Sequence, residues 1–209
     1  MQKNGFSLVE LLVVISIIGV ILTIGFLNFP AMRRQIALER AAHQLVQEIR
    51  RAQGMAMSAI ELKEEDCPSS PLQFAKGYGI YINLDPSVGS DKNYGLYADT
   101  TAGTDCQFPD TSPCWEYYNL GDCMYKSISI EEKGIIIKQI NNIDIGSTGT
   151  AGVEKVSINF RPPNPDTNIK WLALIEEGVD IVLAIESDPD DLLNQKTITV
   201  NRAGLINIK

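Results

Sequence analysis

Histidine is almost missing from this chain: His43 is the only one in 209 residues. A Ser-His-Asp or Cys-His arrangement in the long carboxyl-terminal part therefore has no imidazole to act as base. No glycine loop of the phosphate-cradling kind occurs, and no cluster has metal-ligand spacing. Glu176 and Glu177 are adjacent, so in a strand they would point to opposite faces and form no acid–base pair. Together these absences turn expectation away from catalysis, and a membrane-anchored hydrolase is left without a base or a substrate. Basic residues are scarce as well. Residues 54–209 carry twelve Lys and Arg against twenty-three Asp and Glu, net minus eleven. Nucleic-acid affinity draws chiefly on Lys and Arg neutralising phosphates, so nucleic acid is not an expected partner of that part. An acidic surface of this kind keeps a domain soluble. Residues 31–53 have the opposite balance, with Arg33, Arg34, Arg40, Arg50 and Arg51 against Glu39 and Glu48. A basic stalk facing acidic neighbours is the sharper reading of that division.

One long apolar run occurs, at residues 6–29, and a single acid, Glu10, interrupts it. A charged side chain in hydrocarbon costs about 2.5 to 3.5 kcal/mol on the lenient insertion scales, so an acid retained there points to function and needs a cation. The nearest positive side chains, Lys3 before the run and Arg33 and Arg34 after it, lie outside. Cleavage after Gly5 would create a new cation, the α-ammonium of Phe6. It would lie four residues from Glu10, the spacing that brings groups onto one helical face. The competing reading is an ordinary secretory signal, which has an apolar core of about 7 to 15 residues, a small-residue cleavage site and normally no acid. Here the run is longer and no Ala-x-Ala site closes it. At about 1.5 Å per residue it spans roughly 36 Å, enough for a hydrocarbon layer of about 30 Å. The flanking charges do not settle its orientation, because Arg33 and Arg34 outnumber Lys3.

Gly5 followed by Phe6-Ser7-Leu8-Val9-Glu10 and the apolar stretch resembles the processing site of type IV pilins and type II secretion pseudopilins. The resemblance implies that a prepilin peptidase removes residues 1–5 after Gly5 and methylates the new amino-terminal Phe6. It implies that Glu10 attracts the amino terminus of the next subunit during filament assembly. The implied partners are other pilin or pseudopilin subunits, the prepilin peptidase, an inner-membrane assembly platform and the lipid bilayer. The implied location is the cytoplasmic (inner) membrane, crossed once, with the head outside the cytoplasm, and then the assembled filament. The segment Leu45-Val46-Gln47-Glu48-Ile49-Arg50-Arg51-Ala52-Gln53-Gly54-Met55-Ala56 and a closing hairpin around Gly204 look most like the H-type minor pseudopilins and related fimbrial minor pilins. The implied function is that of a minor structural subunit of a secretion pseudopilus or a type IV pilus. The alternative is a DNA-binding minor pilin of an uptake system. Some related fimbrial minor pilins are understood to bind through basic residues near the carboxyl terminus, where this chain has only Arg202 and Lys209.

The helical signal continues past the run. Pro30 removes a backbone donor and is expected to kink the helix. Beyond it Leu38, Ala42, Leu45, Ile49, Ala52, Ala56 and Ala59 recur at alternating spacings of four and three, one apolar stripe along a helix. The expectation is a single helix from about Phe6 to about Leu62. Its first part, 6–29, is a transmembrane and assembly segment, and its second, 30–62, an amphipathic stalk. Residues 63–209 are expected to form a β-rich head. Their apolar runs are short, rich in β-branched and aromatic residues, and separated by Gly, Pro, Asn and Asp. Strands are expected near 78–83, 94–98, 127–130, 135–140, 156–160, 171–175, 181–185, 197–201 and 205–208, the last two joined by the Asn201-Arg202-Ala203-Gly204 turn. The fold class is α+β: a pilin-like helix packed on an antiparallel β-rich head.

Cys67, Cys106, Cys114 and Cys123 all fall in the head and are even in number. In an exported domain they read as two disulfides with three possible connectivities. The competing zinc reading lacks the tight paired-cysteine knuckle. No cofactor is expected, apart from a weak calcium candidate in the loop of Asp85 and Asp91 and a second acid cluster at Asp188, Asp190 and Asp191. Neither matches the full calcium-loop pattern, which ends in a bidentate glutamate.

Overall fold

The computed structural model describes residues 7–61, 75–87, 89–99, 123–143, 152–162, 167–171 and 174–209, with side chains at all of these except 24–29, 123–124, 142–143, 152–153, 170–171 and 174–176. One helix, α1 (Leu8–Met57), opens the chain and continues across Pro30. It contributes to two compact units, Met1–Ile36 and Ala37–Lys209. Among the described residues no helix is long and apolar enough to cross a membrane.

The second unit holds the rest of α1 and two antiparallel sheets. The first sheet is built from β1 (Gly77–Asn83), β2 (Asn93–Asp99), β3 (Cys123–Ser129), β6 (Lys155–Phe160), β7 (Thr167–Trp171) and β8 (Leu174–Glu176), in the order β3-β2-β1-β6-β7-β8. The second contains β4 (Ile135–Ile143), β5 (Gly152–Val153), β9 (Gly178–Ile185), β10 (Gln195–Asn201) and β11 (Ile206–Ile208), in the order β11-β10-β9-β4-β5. Within this unit the stripe Leu38, Ala42, Leu45, Ile49, Ala52 and Ala56 is buried in one core with Ile80, Ile82 and Ile158 of the first sheet and Ile140, Ile181 and Ile198 of the second. Ala41, Val46 and Met55 are buried with them, so the covered face is wider than a single stripe because strands of both sheets share the core. Burying a Leu or Ile side chain contributes about 1.5–3 kcal/mol. Gln44 Nε2 donates to the Ser129 carbonyl of β3 (3.4 Å) and Gln53 Nε2 to the Gly204 carbonyl beside β11 (3.4 Å), a polar tie to each sheet.

The helix ends at Met57, short of the expected Leu62. Ala59 adopts a left-handed φ of 44°, the Ile60 amide donates back to the Met55 carbonyl (3.4 Å) and the Ala59 amide to Ala56 (3.2 Å). This pair of bonds is a Schellman stop, which satisfies carbonyls that would otherwise be orphaned. It turns Ala59 out of the stripe and leaves it exposed. The Tyr78 hydroxyl then donates to the Ile60 carbonyl (2.7 Å), tying the departing chain to β1.

The strand expected at 171–175 is a correction. Ile169 pairs with Glu176 and Trp171 with Leu174, so this stretch holds the end of β7 and the start of β8 in a hairpin. Leu172 and Ala173, between them, carry none of the Gly, Pro, Asn or Asp signals that mark a turn in sequence. The closing hairpin β10–β11 forms as expected. The Gly204 amide donates to the Asn201 carbonyl (2.9 Å) and Gly204 takes φ 78°, the left-handed position that closes a three-residue loop. In β9 every residue from 181 to 185 is buried, with no inside-outside alternation. It is the middle strand of the second sheet, covered on both faces, and such strands read as continuous apolar runs.

Tyr94 brings a buried polar group into the core without a partner among the described residues. The Tyr94 hydroxyl makes no hydrogen bond, and the Tyr94 side chain is 3 % exposed. Burial raises its pKa well above the ordinary phenol value, with the Glu48 and Glu131 carboxylates adding to the effect. An unsatisfied buried hydroxyl costs about 1–3 kcal/mol, so Tyr94→Phe is expected to raise stability by about 1 kcal/mol. The sign of the pH effect follows from linkage: because the folded pKa is raised, the unfolded chain releases this proton first. The phenol's contribution is complete below about pH 10 and is lost as pH rises beyond it. Urea melts of the full chain in detergent at pH 8 and pH 11 measure both effects. A Tyr94→Phe chain that is less stable than wild type at pH 8 contradicts the unpartnered hydroxyl.

Candidate functional site

The amino-terminal end of α1 is built around Ser7 and Glu10. The Leu11 amide donates to the Ser7 carbonyl (3.2 Å), the first intrahelical bond, so Ser7 stands at the cap and Glu10 at the third helical position. Ser-x-x-Glu at these positions is the spacing of a capping box, which lets an acid answer amides that have no intrahelical partner. The positive end of the helix dipole favours an anion there as well. The spacing itself was present in the sequence as Ser7-Leu8-Val9-Glu10. It becomes legible only when the helix start is known.

Every described side chain from 7 to 23 is exposed, including Leu8, Val9, Leu11, Leu12, Ile15, Ile18 and Ile21. Ser16 and Thr23 hide their hydroxyls by donating to the carbonyls four residues back, Leu12 (2.8 Å) and Gly19 (2.8 Å). A helix with an apolar surface all round calls for apolar surroundings on every side. Glu10 is the one ionisable group along it, and the next cations on the helix, Arg33 and Arg34, are roughly six turns away. Gly5 and Phe6 lie outside the described residues, as do Cys67, Cys106 and Cys114. Cys123 is placed in β3 by its backbone alone.

Residues 1–26 match the family model of the prokaryotic N-terminal methylation motif. That match supports a type IV pilin-like amino terminus, the kind a prepilin peptidase processes and other pilin subunits assemble with. No curated protein and no solved structure matches the chain. The methylation motif contains Ser7 and Glu10, so the acid singled out by its energetic cost lies inside the matched segment.

The other candidate residues are engaged in local structure. Asp85 Oδ1 accepts from the Ser87 amide (2.9 Å) and hydroxyl (2.6 Å), and its second oxygen faces Lys155 Nζ at 3.5 Å. The Ser87 bonds, with Lys155 behind them, hold the Asp85 carboxyl below the usual carboxylate range. The Asp91 carbonyl accepts from the Ile137 amide (2.7 Å), joining the loop to β4. Asp190 pairs with Lys138 (2.9 Å), and Asp191 caps a single 3-10 turn at Leu192–Asn194. Among the described residues no group of three or more His, Cys, Asp or Glu side chains is arranged to hold a metal. Arg202 meets Glu177 at 3.7 Å, and Lys209 exchanges both backbone hydrogen bonds with Thr197. His43, on α1, faces Glu39 at 3.3 Å, and Lys196 of β10 reaches the same carboxylate at 2.8 Å. The Lys196 hydrogen bond is the main reason that the Glu39 carboxyl is held down. Stalk and β-rich part are thus charge-paired within one chain, by Glu39 with Lys196 and by Arg40 with Glu132 (3.7 Å).

A buried polar cluster on the first sheet had no sequence signal. Asp99 Oδ2 accepts from Asn159 Nδ2 (3.2 Å) and Arg161 Nη2 (2.9 Å), and Tyr97 Oη lies 2.6 Å from Ser157 Oγ. In each case the partners belong to β2 and to β6 or the residue after it, with β1 between them. The contact passes over Gly77 and Gly79, which have no side chain to block it. The cluster ties three strands together and presents no convergent reactive groups.

Proposed function

We propose that this chain is a minor pilin or pseudopilin, a structural subunit of a type II secretion pseudopilus or a type IV pilus. Prepilin peptidase cuts after Gly5 and methylates Phe6. The apolar helix at 6–29 holds the subunit in the cytoplasmic membrane until Glu10 pairs with the amino terminus of a neighbour and the subunit enters the filament. The head, cross-linked by two disulfides among Cys67, Cys106, Cys114 and Cys123, works by contact rather than turnover. The observation that carries this reading is Glu10, the one charge on the opening stretch of α1, residues 7–23, where every described side chain is exposed, placed inside a methylation motif.

The test is processing. The full chain is produced in membranes with an active prepilin peptidase, and the purified product is examined by intact mass and amino-terminal sequencing. A mature chain that begins at Phe6 and carries one added methyl group is expected. A product that retains residues 1–5 in the presence of active peptidase refutes the reading.

A further inference from the structure

The turn between β9 and β10 holds two leucines in water. Leu192 and Leu193 are 82 % and 78 % exposed, more than any other large apolar side chain described in the unit Ala37–Lys209. The turn that presents them is fixed from within. Asp191 Oδ1 accepts from the Leu193 amide (3.0 Å), the Asn194 amide donates to the Asp191 carbonyl (2.9 Å), and Gln195 Nε2 donates to the Pro189 carbonyl (2.7 Å).

Position within the unit identifies the neighbour. Lys196, three residues after Leu193, pairs with Glu39 of α1 (2.8 Å), and Gly204, past the far end of β10, accepts from Gln53 (3.4 Å). β10 and α1 therefore run side by side in the same direction, and the β9–β10 turn stands at the end where α1 enters the unit. The β3–β4 turn stands there too: the Glu186 amide donates to the Gly134 carbonyl (2.8 Å), and Arg40 faces Glu132 (3.7 Å). Glu39 is ten residues beyond Phe29, the last residue of the apolar run, about 15 Å of helical rise. From Lys196 back to Leu193 the chain reaches up to about 10 Å. The second length offsets most of the first, which puts the headgroup layer of a bilayer holding residues 6–29, roughly 5–8 Å deep, within reach of the leucines.

Charge narrows the choice of lipid. Glu186 is paired with Lys92 (2.9 Å) and Asp190 with Lys138 (2.9 Å), whereas Asp188 and Asp191 meet the neutral side-chain amide of Asn194 (3.5 Å each), which does not cancel their charge. An anionic surface attracts basic segments and repels acidic ones, so headgroups without net charge suit this turn. A weak contact suffices, because a site tethered to the membrane by its own anchor binds at an effective concentration on the order of millimolar.

We propose that Leu192 and Leu193 enter the headgroup region of the membrane that carries residues 6–29, seating the β-rich unit on the bilayer before the subunit is taken into a filament. The proposal rests on the membrane-anchor reading and adds a second lipid contact to it. In the test, the photo-crosslinking residue p-benzoylphenylalanine replaces Leu193 in the full chain, which is reconstituted without other proteins into phosphatidylcholine vesicles. After illumination the adducts are mapped by mass spectrometry. A matched chain carries the same residue at Leu205, 56 % exposed in the β10–β11 turn at the opposite end of β10. Lipid adducts at position 193 are expected at ten times the yield at 205 or more. Equal yields, no lipid adduct at 193, or adducts that join two copies would each overturn the proposal. Because the benzophenone is itself apolar, a second arm places it at Asn194, with Leu192 and Leu193 either retained or both changed to serine. The serine pair should lower the lipid-adduct yield to about one tenth, since the apolar area that enters the lipid is gone. An unchanged yield overturns the contact and leaves the anchor reading intact, whereas a wild-type chain that alkaline carbonate strips from the vesicles overturns that reading instead.

Discussion

Glu10→Ala is expected to enter the membrane at least as well as wild type, to be cut after Gly5, and to be missing from filaments. Insertion should not suffer, because removing a carboxylate from the apolar helix removes a cost of about 2.5 to 3.5 kcal/mol. Assembly should fail because the ammonium created at Phe6 then has no anion to meet. Glu10 also occupies the third position of a helix that starts after Ser7, where a capping box places an acid or amide, so alanine removes that group together with the charge. Glu10→Gln separates the two roles: an amide can serve in a capping box but carries no charge. Both variants should be lost from the sheared filament fraction while the processed chain persists in the membrane. If Glu10→Gln assembles at the wild-type level, capping is the function of this residue and charge pairing is not.

Gly79→Ala is expected to destabilise the β-rich part by about 3 kcal/mol, a large share of a typical 5–15 kcal/mol. A Cβ at this position would stand 2.5 Å from the Ile158 carbonyl oxygen and 2.7 Å from two ring atoms of Tyr97. Neither neighbour has room to move. The carbonyl belongs to the paired backbone of β6, and the Tyr97 ring is 1 % exposed with its hydroxyl held by Ser157 at 2.6 Å. Gly54→Ala is the control: nothing lies within 4 Å of its Cβ, and in an exposed helix alanine is favoured over glycine by about 0.8–1 kcal/mol. Urea denaturation of the full chain in detergent should therefore move the two midpoints in opposite directions. A Gly79→Ala midpoint equal to wild type would mean that the Tyr97 ring does not lie over the β1 backbone.

Much of the fold was legible because its signals are local. Leu38, Ala42, Leu45, Ile49, Ala52 and Ala56 follow the helical period, and all are buried. Strands such as β6 alternate, and Asn201-Arg202-Ala203-Gly204 contains the glycine its turn requires. The misreadings have equally specific causes. Ala59 fits the period, yet the Schellman bonds from Ile60 and Ala59 stop the helix first. Residues 171–175 read as one strand because no turn residue marks the change from β7 to β8. The Asp99–Asn159–Arg161 cluster joins residues about sixty positions apart, and no spacing within a short window can announce it.

Glu10, the apolar run and the motif around Gly5 were decided by sequence alone, since an acid in an apolar helix is an energetic exception wherever the rest of the chain folds. The partners of several other charges were decided by tertiary structure alone. Lys196 with Glu39, Lys138 with Asp190 and Arg202 with Glu177 each join residues far apart in the chain. So was the placement of Leu192 and Leu193. In the sequence, Leu192 and Leu193 fall between the strands expected at 181–185 and 197–201, with no element assigned to them. The capped turn between β9 and β10 holds them in water, because its backbone bonds are satisfied within the turn and neither leucine packs into the core.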